Sequence, residues 1–270
     1  MVSLVNESGV HICGGSLISP DTILTAAHCA KLIHRAHIGR FNLTDDSENW
    51  DEFPIRSMIV HGEFSSSAGI RYDFMLLFFD GSISNGNLVK LNSEASIPTR
   101  NNSSLYVIGW GKTNSDFFVE SPNTLKEVQV QYEPNEDCMQ SKSMVFGSLY
   151  KNRIYDDHLC AGDEMKDACD GDSGGPIVTR DIHNNDIQVG IVSWGFECAH
   201  NDFPGVYARV STAFDWIKNE TCKHSKMASW QFSCSPLKQN GKKCDHGDEC
   251  SSKHCKKERC KRKRVSKSYI

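Results

Sequence analysis

The sequence predicts an all-β fold, either a barrel or a sandwich, followed by one short helix and a separate tail. Short runs that are apolar throughout, or that alternate between apolar and polar residues, recur along residues 2–195 with Gly, Asn or Pro between them. Only one segment has the spacing of an amphipathic helix, and it comes late in the chain. Many short strands with a single terminal helix are typical of all-β barrels and sandwiches.

Six runs carry the strand prediction. Val2–Leu4 begins the first strand, and HICGGSLIS continues the pattern after a turn. In LKEVQVQY, Val128, Val130 and Tyr132 share one face of a strand, while glutamines occupy the other. FMLLFF has the length of a buried strand and is far shorter than the roughly 18 apolar residues of a membrane span. The remaining runs are LYVIGWG and IQVGIVSWG.

The helix is predicted over Ser211–Glu220. Thr212 and Asp215 have the spacing of a helix start, and Phe214 and Ile217 are spaced to face a core.

The charge of the chain changes near Cys222. Residues 223–270 contain 14 Lys and Arg against 4 Asp and Glu, whereas residues 1–222 contain 16 against 30. We therefore predict an acidic domain over residues 1–222 and a basic, Cys-rich extension over residues 223–270. The extension has too few apolar residues for a core, so disulfides would have to hold it. Its six cysteines, counting Cys222, allow 15 connectivities, and the sequence does not select one.

Three roles for the extension remain open, in order of preference. It is a small disulfide module, a cationic anchor for acidic polysaccharides or other polyanions, or a metal site formed by His246, His254 and cysteines. The first two are compatible with each other. The sequence predicts neither a nucleic-acid partner nor a membrane span.

The cysteine content favours an oxidising, extracellular location. None of the 12 cysteines lies in a C-x-x-C pair, which argues against zinc ribbons and thioredoxin-like sites. Five N-x-S/T sequons support a secretory route. The opening MVSLVNESGVH has neither the basic nor the apolar region of a signal peptide, so we expect a secreted protein whose signal peptide is missing from this sequence. The sequons start at Asn6, Asn42, Asn101, Asn102 and Asn219.

Ser173, in KDACDGDSGGPIV, is a candidate nucleophile. A serine hydroxyl needs an imidazole to take its proton, and that imidazole needs a buried carboxylate to fix its tautomer. His28, in LTAAHCA, follows an apolar strand and precedes a cysteine. Asp73, in RYDFMLLFF, leads into an apolar strand, where a charge is costly unless it has a partner. The histidines in polar or loop-like settings are expected to be solvated; these are His34, His37, His61 and His158.

Five segments resemble the trypsin/chymotrypsin-type serine proteases, in the order of that family. They are CGGSLISPDTILTAAHC, YDFMLL, GDSGGP, VSWG and PGVYARV, and the resemblance covers about residues 1–220. It implies two antiparallel six-stranded Greek-key barrels, over about residues 1–97 and 98–210, with the helix over about residues 211–220. It also implies that the first barrel is incomplete.

The resemblance assigns a role to each candidate. His28 is the general base, Asp73 orients it, and Ser173 is the nucleophile of a serine endopeptidase. The backbone N–H groups of Gly171 and Ser173 form the oxyanion hole. The resemblance implies peptide substrates, protein protease inhibitors as partners and a monomeric chain, with neither a cofactor nor a catalytic metal.

The implied specificity pocket selects basic side chains. Asp167 matches the acidic residue at the pocket base in trypsin, and two glycines leave room for a long side chain. Ala168 lacks a hydroxyl that helps hold Lys in some relatives, which favours Arg. The substrate-binding residues implied in this way are Asp167, Ala168, Ser193, Trp194, Gly195 and Gly205.

The resemblance also implies three disulfides and no calcium site. In the stretch GRFNLTDDSENW, Arg40 replaces the first carboxylate ligand of trypsin, and a cation there opposes Ca²⁺ binding. We expect a solvated acidic loop instead. The implied disulfides are Cys13–Cys29, Cys138–Cys160 and Cys169–Cys198.

One departure from the family concerns activation. Active relatives begin with a freshly cut Ile-Val-Gly-Gly whose amino group pairs with the residue equivalent to Asp172, and no such segment precedes Met1 here. We expect a sequence truncated at its N-terminus, which by itself would have little activity. The alternative is a zymogen-like or catalytically silent homologue that acts as a binding or regulatory module.

Overall fold

The computed structural model describes most of the chain as far as Cys234 and little of the extension. The described residues are 1–67, 69–83, 87–99, 103–112, 121–143, 146–163, 166–196, 198, 202–227 and 231–234, with the backbone of 255–256 and 259–260. The chain divides into two compact units, Met1–Phe232 and Ser233–Ile270. The predicted His246 and His254 metal ligands lie outside the described residues. Among the helices described, none is both long and apolar enough to cross a membrane.

Six antiparallel strands close the first barrel. Strand β1 pairs with β2 on one side and with β4 on the other, where Val2 lies opposite Ile38. The expectation of an incomplete first barrel is therefore wrong, because β1 supplies the pairing that closes the sheet. The strands are β1 (Val2–Val5), β2 (His11–Ser19), β3 (Thr22–Thr25), β4 (Arg35–Ile38), β5 (Asp51–Val60) and β6 (Met75–Phe79), in the order β1-β2-β3-β6-β5-β4.

A second six-stranded antiparallel barrel follows, and it closes where β11 pairs with both β8 and β12. A short strand, β7 (Lys90–Leu91), is added in parallel to β12. The prediction of two six-stranded barrels is confirmed. The strands are β8 (Ser104–Gly109), β9 (Lys126–Glu133), β10 (His158–Gly162), β11 (Pro176–Arg180), β12 (Asp186–Trp194) and β13 (Gly205–Arg209), in the order β8-β9-β10-β13-β12-β11.

Each barrel is filled by the residues that the apolar pattern selects. All five residues of β6 are buried, as expected for a run with no polar residue. In β9, Val128, Val130 and Tyr132 pack on the core of the second barrel, whose strands also contribute Leu105 and Leu159. Hydrophobic burial of this kind is the main favourable term in folding.

The predicted helix is confirmed and is longer at its end than expected. Helix α2 spans Val210–His224 and buries Val210, Ala213 and Ile217. A single helical turn, α1 (Asn135–Cys138), was not predicted.

Loops from both barrels meet where the candidate catalytic residues lie. The Gly14 N–H of β2 donates to the Ser173 carbonyl at 2.7 Å. Gly174 has φ +78°, and a Cβ there would collide with Thr25 Oγ1 and the Gly14 carbonyl. Only glycine tolerates both this backbone conformation and this close approach. The GDSGG stretch is thus a tight turn packed against the first barrel.

Candidate active site

Asp73 fixes the orientation of His28. Asp73 lies just before β6 and is buried, and His28 lies in a 3-10 turn, Ala27–Cys29, that follows β3. The His28 Nδ1–H donates to Asp73 Oδ2 at 2.7 Å, and the His28 backbone N–H donates to Asp73 Oδ1 at 2.9 Å. Ser193 Oγ donates to the same Oδ2 at 2.6 Å. Because Asp73 accepts from Nδ1, the Nε2 of His28 is left to accept a proton.

Two contacts of neighbouring residues link the turn that carries Ser173 to the turn that carries His28. Its carbonyl accepts from Gly14, and the adjacent Cys13 is joined by a disulfide to Cys29, the residue after His28. No hydrogen bond between Ser173 Oγ and His28 is recorded in the described part of the chain. Hydrogen bonds of this type are often long until a substrate is bound.

The backbone at Gly171 and Ser173 leaves two N–H donors available. Neither N–H has a hydrogen-bond acceptor among the described residues, and Gly171 has φ +99°. The Gly171 carbonyl instead accepts from His11 Nε2 at 2.9 Å. Two unused donors next to a serine hydroxyl could stabilise a developing oxyanion.

All of the predicted pocket residues line a cavity of about 270 Å³ next to Ser173. Asp167 Oδ1 accepts from the Ala168 N–H at 2.7 Å and from the Tyr207 hydroxyl at 3.2 Å. A Cβ on Gly205 would collide with the Asp167 carboxylate, so a larger residue would cover it. The lining residues include Asp167, Ala168, Ser193, Trp194, Gly195 and Gly205, together with Ser173.

Tyr207 is part of this pocket and was missed by the sequence analysis. Burial, with the Asp167 charge as a further cause, raises the pKa of Tyr207 well above its usual value. Its hydroxyl therefore stays protonated and donates to Asp167. Tyr207 lies in the mostly apolar run PGVYARV and packs in the core of the second barrel, but its contact with Asp167 joins two segments 40 residues apart.

Asp172 is a buried carboxylate without a paired cation among the described residues. It accepts from the Gly111 N–H at 2.7 Å and from the Cys169 N–H at 3.0 Å. Burial raises its pKa to about 6, and the two backbone hydrogen bonds oppose that shift.

The prediction of solvated histidines is only partly correct. His34 is exposed and His61 is half-buried, but His37 and His158 are buried, so their prediction is wrong. His37 is bonded to Glu52 Oε2 at 2.8 Å. His158 begins β10 and is bonded to the Ile70 carbonyl at 2.6 Å. The sequence signal for a buried His158 was the apolar run HLCAG after YDD, which forms the buried strand β10.

A guanidinium occupies the loop where trypsin binds calcium. Arg40 donates to the Leu43 carbonyl at 2.7 Å, to the Asp45 carbonyl at 3.1 Å and to Asp46 Oδ1 at 3.2 Å. Its charge lies 4.1 Å from the centre of the Trp50 ring. The oxygen atoms that a cation would take are therefore bound to Arg40, and the residues of this loop do not fit Ca²⁺.

Three disulfide bonds support the loops around the site. They join the pairs that the resemblance implies, and both members of the third pair line the pocket cavity. Cys222 and Cys234 are also disulfide-bonded. The three pairs are Cys13–Cys29, Cys138–Cys160 and Cys169–Cys198.

Comparison with known proteins gives one consistent result. The trypsin family profile matches residues 1–217. The chain is 34% identical to trypsin theta of Drosophila melanogaster over 220 residues, which cover 81% of this chain and 79% of that protein. It is 34% identical to hypodermin-B of Hypoderma lineatum over 217 residues, or 79% of each chain. It is 32% identical to serine protease 28 of Mus musculus over 229 residues, or 80% of each chain. The chain therefore belongs to the trypsin family of serine proteases.

Proposed function

We propose that this protein is a serine endopeptidase that cuts peptide bonds after Arg and Lys. The observation that carries the proposal is the buried Asp73 carboxylate, which holds the His28 imidazole with its Nε2 ready to accept a proton. In this reaction His28 takes the Ser173 hydroxyl proton while Oγ bonds to the substrate carbonyl carbon. The N–H groups of Gly171 and Ser173 stabilise the oxyanion.

The second half of the reaction uses the same groups. His28 gives its proton to the leaving amine, which departs and leaves an acyl group on Ser173. A water molecule then loses a proton to His28 and attacks the acyl carbon, which releases the acid and restores the serine. Asp73 remains ionised throughout and stabilises the imidazolium.

Asp167 supports a preference for basic side chains. Its carboxylate lines the cavity beside Ser173, and the lack of a side chain at Gly205 keeps it accessible to a ligand. A guanidinium or an ammonium can pair with this carboxylate, whereas an apolar side chain offers it neither a charge nor a hydrogen bond. Ala168 offers no hydroxyl to help hold an ammonium, so Arg is preferred to Lys.

A second candidate function is that of a catalytically silent, zymogen-like homologue. The observation in its favour is Asp172, whose buried carboxylate has backbone partners but no cation among the described residues. Such a protein would bind peptides or partners without cutting them. Turnover by an activated form, extended at its N-terminus as active relatives are, separates the two functions.

The family and the cysteine content support a secreted protease that acts on proteins and is bound by protein inhibitors. Disulfides persist in extracellular space. Among the described residues, Cys13, Cys138 and Cys169 each form a disulfide with a second cysteine. We propose further that the protein is monomeric and that the basic extension binds polyanions.

Steady-state kinetics on peptides that differ only at the residue before the cut test the specificity. We expect kcat/KM to be highest for Arg, lower for Lys, and lower by orders of magnitude for Phe and Leu. Asp167→Asn should reduce kcat/KM for Arg by about 100-fold or more, since removing one charge of a desolvated pair costs roughly 2–5 kcal/mol.

The matched control is Asp186→Asn, which alters an exposed carboxylate paired with Arg180 on the outside of the second barrel. This variant should leave the order of the substrates unchanged. A preference for Phe or Leu in the unaltered protein would contradict the proposed role of Asp167.

A further inference from the structure

We propose that Asp157 is a positioning residue for the catalytic reaction, which holds the backbone that carries Asp73. This inference rests on the proposed protease function. It concerns two adjacent residues of the second barrel, Asp157 and His158, which together contact the three residues that precede Asp73.

The contacts follow one another along the chain. The Ile70 carbonyl is bonded to His158 Nε2 at 2.6 Å. Arg71 donates to Asp157 Oδ1 from Nε and from a terminal nitrogen, each at 2.7 Å. The Tyr72 backbone N–H donates to Asp157 Oδ2 at 2.7 Å. Each of the residues 70–72 is thus held by a side chain of the other barrel, and Asp73 comes next.

The conformation of Tyr72 shows why this segment has to be held. Tyr72 has φ +47°, which is uncommon for a residue with a side chain and persists where the surroundings enforce it. Its N–H is bonded to Asp157, and its ring stacks on His61 at 5.0 Å with an angle of 6° between the planes. The turn at Tyr72 directs the chain into Asp73.

Both holding side chains are buried and fully engaged. Asp157 and His158 are each 1% exposed. While its Nε2 is bonded to the Ile70 carbonyl, His158 also accepts the Tyr155 N–H at Nδ1, at 3.2 Å. The ring is therefore the neutral tautomer that carries its proton on Nε2. The two residues are anchored to β13, because the Arg209 N–H donates to the Asp157 carbonyl at 2.8 Å and Arg209 Nε donates to the His158 carbonyl at 2.9 Å.

Asp73 is sensitive to small movements of this segment. Its Oδ2 is shared between His28 Nδ1 and Ser193 Oγ, and its Oδ1 accepts the His28 N–H. A shift of the backbone at residues 70–72 would lengthen the bond to Nδ1 and turn the imidazole away from Ser173. Misplacement of about 1 Å by a remote change can reduce a rate by about 100-fold.

The specificity pocket does not include any member of this group. Its cavity is lined by residues 167–170, 173, 192–195, 198 and 205–207, and none of residues 70–72, Asp157 or His158 is among them. Loss of Asp157 should therefore reduce kcat more than it changes KM.

Asp157→Asn is the first test, with kinetics on an Arg peptide in the full chain. The Asn amide has one accepting oxygen and one donating NH2 group in place of the two accepting oxygens of Asp157. Either Arg71 or the Tyr72 N–H therefore loses its acceptor. We expect kcat per titrated active site to fall by about 10- to 100-fold with KM within about twofold. Arg71→Ala, which changes a half-buried residue, should act in the same direction and serves if Asp157→Asn does not fold.

Asp21→Asn is the matched control. Asp21 is an equally buried carboxylate that accepts from Ser19, Ser225 and the Lys226 N–H, and none of these residues contacts Asp73. This variant should lower the thermal midpoint and leave kcat and KM unchanged. If Asp157→Asn also lowers only the midpoint, Asp157 is merely structural and the inference is wrong.

A spectroscopic measurement tests the inference without turnover. The His28 Nδ1 proton, hydrogen-bonded to a carboxylate, gives a far-downfield NMR resonance. We expect this resonance to move upfield or broaden in Asp157→Asn and to stay in place in Asp21→Asn. An activated, otherwise unaltered protein that cuts nothing would refute the proposed function alone, whereas a resonance unchanged in Asp157→Asn would refute the role of Asp157.

Discussion

At the scale of single residues, the charge of Asp172 is disfavoured by its surroundings. Burial raises its pKa from 3.8 to about 6. Between these values the native state keeps a proton that the unfolded chain has lost. The stabilisation from that proton is complete below pH 3.8 and is lost as the pH rises through about 6.

Asp172→Asn should therefore change the pH dependence of stability. Relative to this variant, the unaltered protein should lose up to roughly 3 kcal/mol of unfolding free energy as the pH rises from about 4 to about 7. Urea unfolding at several pH values measures the difference. Asp170→Asn, which changes an exposed carboxylate in the same turn, should show no such trend. A pH-independent difference for Asp172→Asn would mean that the carboxylate has a compensating cation.

The sequence shows which residue types could react, but not the tertiary contacts that tune them. Ser173, His28 and Asp73 could be selected as candidates because each lies in a distinctive local pattern. Ser193 was predicted to bind substrate, and it does line the pocket cavity, but its hydroxyl also donates to Asp73, 120 residues away. Such a contact depends on how two barrels pack, which no local pattern encodes.

At the scale of elements, the loop at residues 40–50 is organised by a side-chain cation. Arg40 donates to two carbonyls and to Asp46, while the Glu48 carboxylate accepts the N–H groups of Phe41 and Asn42 at 2.8 Å. The acidic residues of this loop are thus bonded within it. The predicted solvated loop is correct for the exposed Asp46 and wrong for Glu48.

Arg40 predicts a stability that is independent of calcium. The thermal midpoint should be equal in EDTA and in excess Ca²⁺, because a ligand stabilises only a native state that binds it. Arg40→Ala should cost roughly 1.5–3 kcal/mol, since the half-buried carbonyls of Leu43 and Asp45 lose a charged donor. Arg35→Ala, at a more exposed ion pair with Glu52, should cost less than about 1 kcal/mol. A midpoint that rises with Ca²⁺ would contradict this account of the loop.

Strands β1, β2, β6, β8, β9 and β12 could be predicted because their apolar period and turn residues agree, whereas β4, β5, β10, β11 and β13 were not predicted. The β2 prediction, HICGGSLIS, matches His11–Ser19 at both ends. The pairing of β1 with β4 could not be predicted, because apolar periodicity does not identify the partner of a strand. The short β7 and α1 escaped prediction because two or four residues carry no period.

At the scale of the whole molecule, the proposed site forms where the two barrels meet. The first barrel contributes His28 and Asp73, and the second contributes Ser173 and the Asp167 cavity. The contacts that join them include the Gly14 bond to Ser173 and the Asp157 bonds to Arg71 and Tyr72. The proposed reactivity therefore depends on both barrels.

Labelling with a biotinylated aryl phosphonate, followed by peptide mapping, tests the central claim most directly. A serine activated by His28 and Asp73 attacks phosphorus, displaces the phenolate leaving group and retains the phosphonyl group. We predict a single adduct on the peptide that contains Ser173, none in Ser173→Ala, and labelling slower by about 10⁴-fold in His28→Ala. Absence of an adduct in an activated, N-terminally extended form, or equal labelling in His28→Ala, would contradict the claim that His28 activates Ser173.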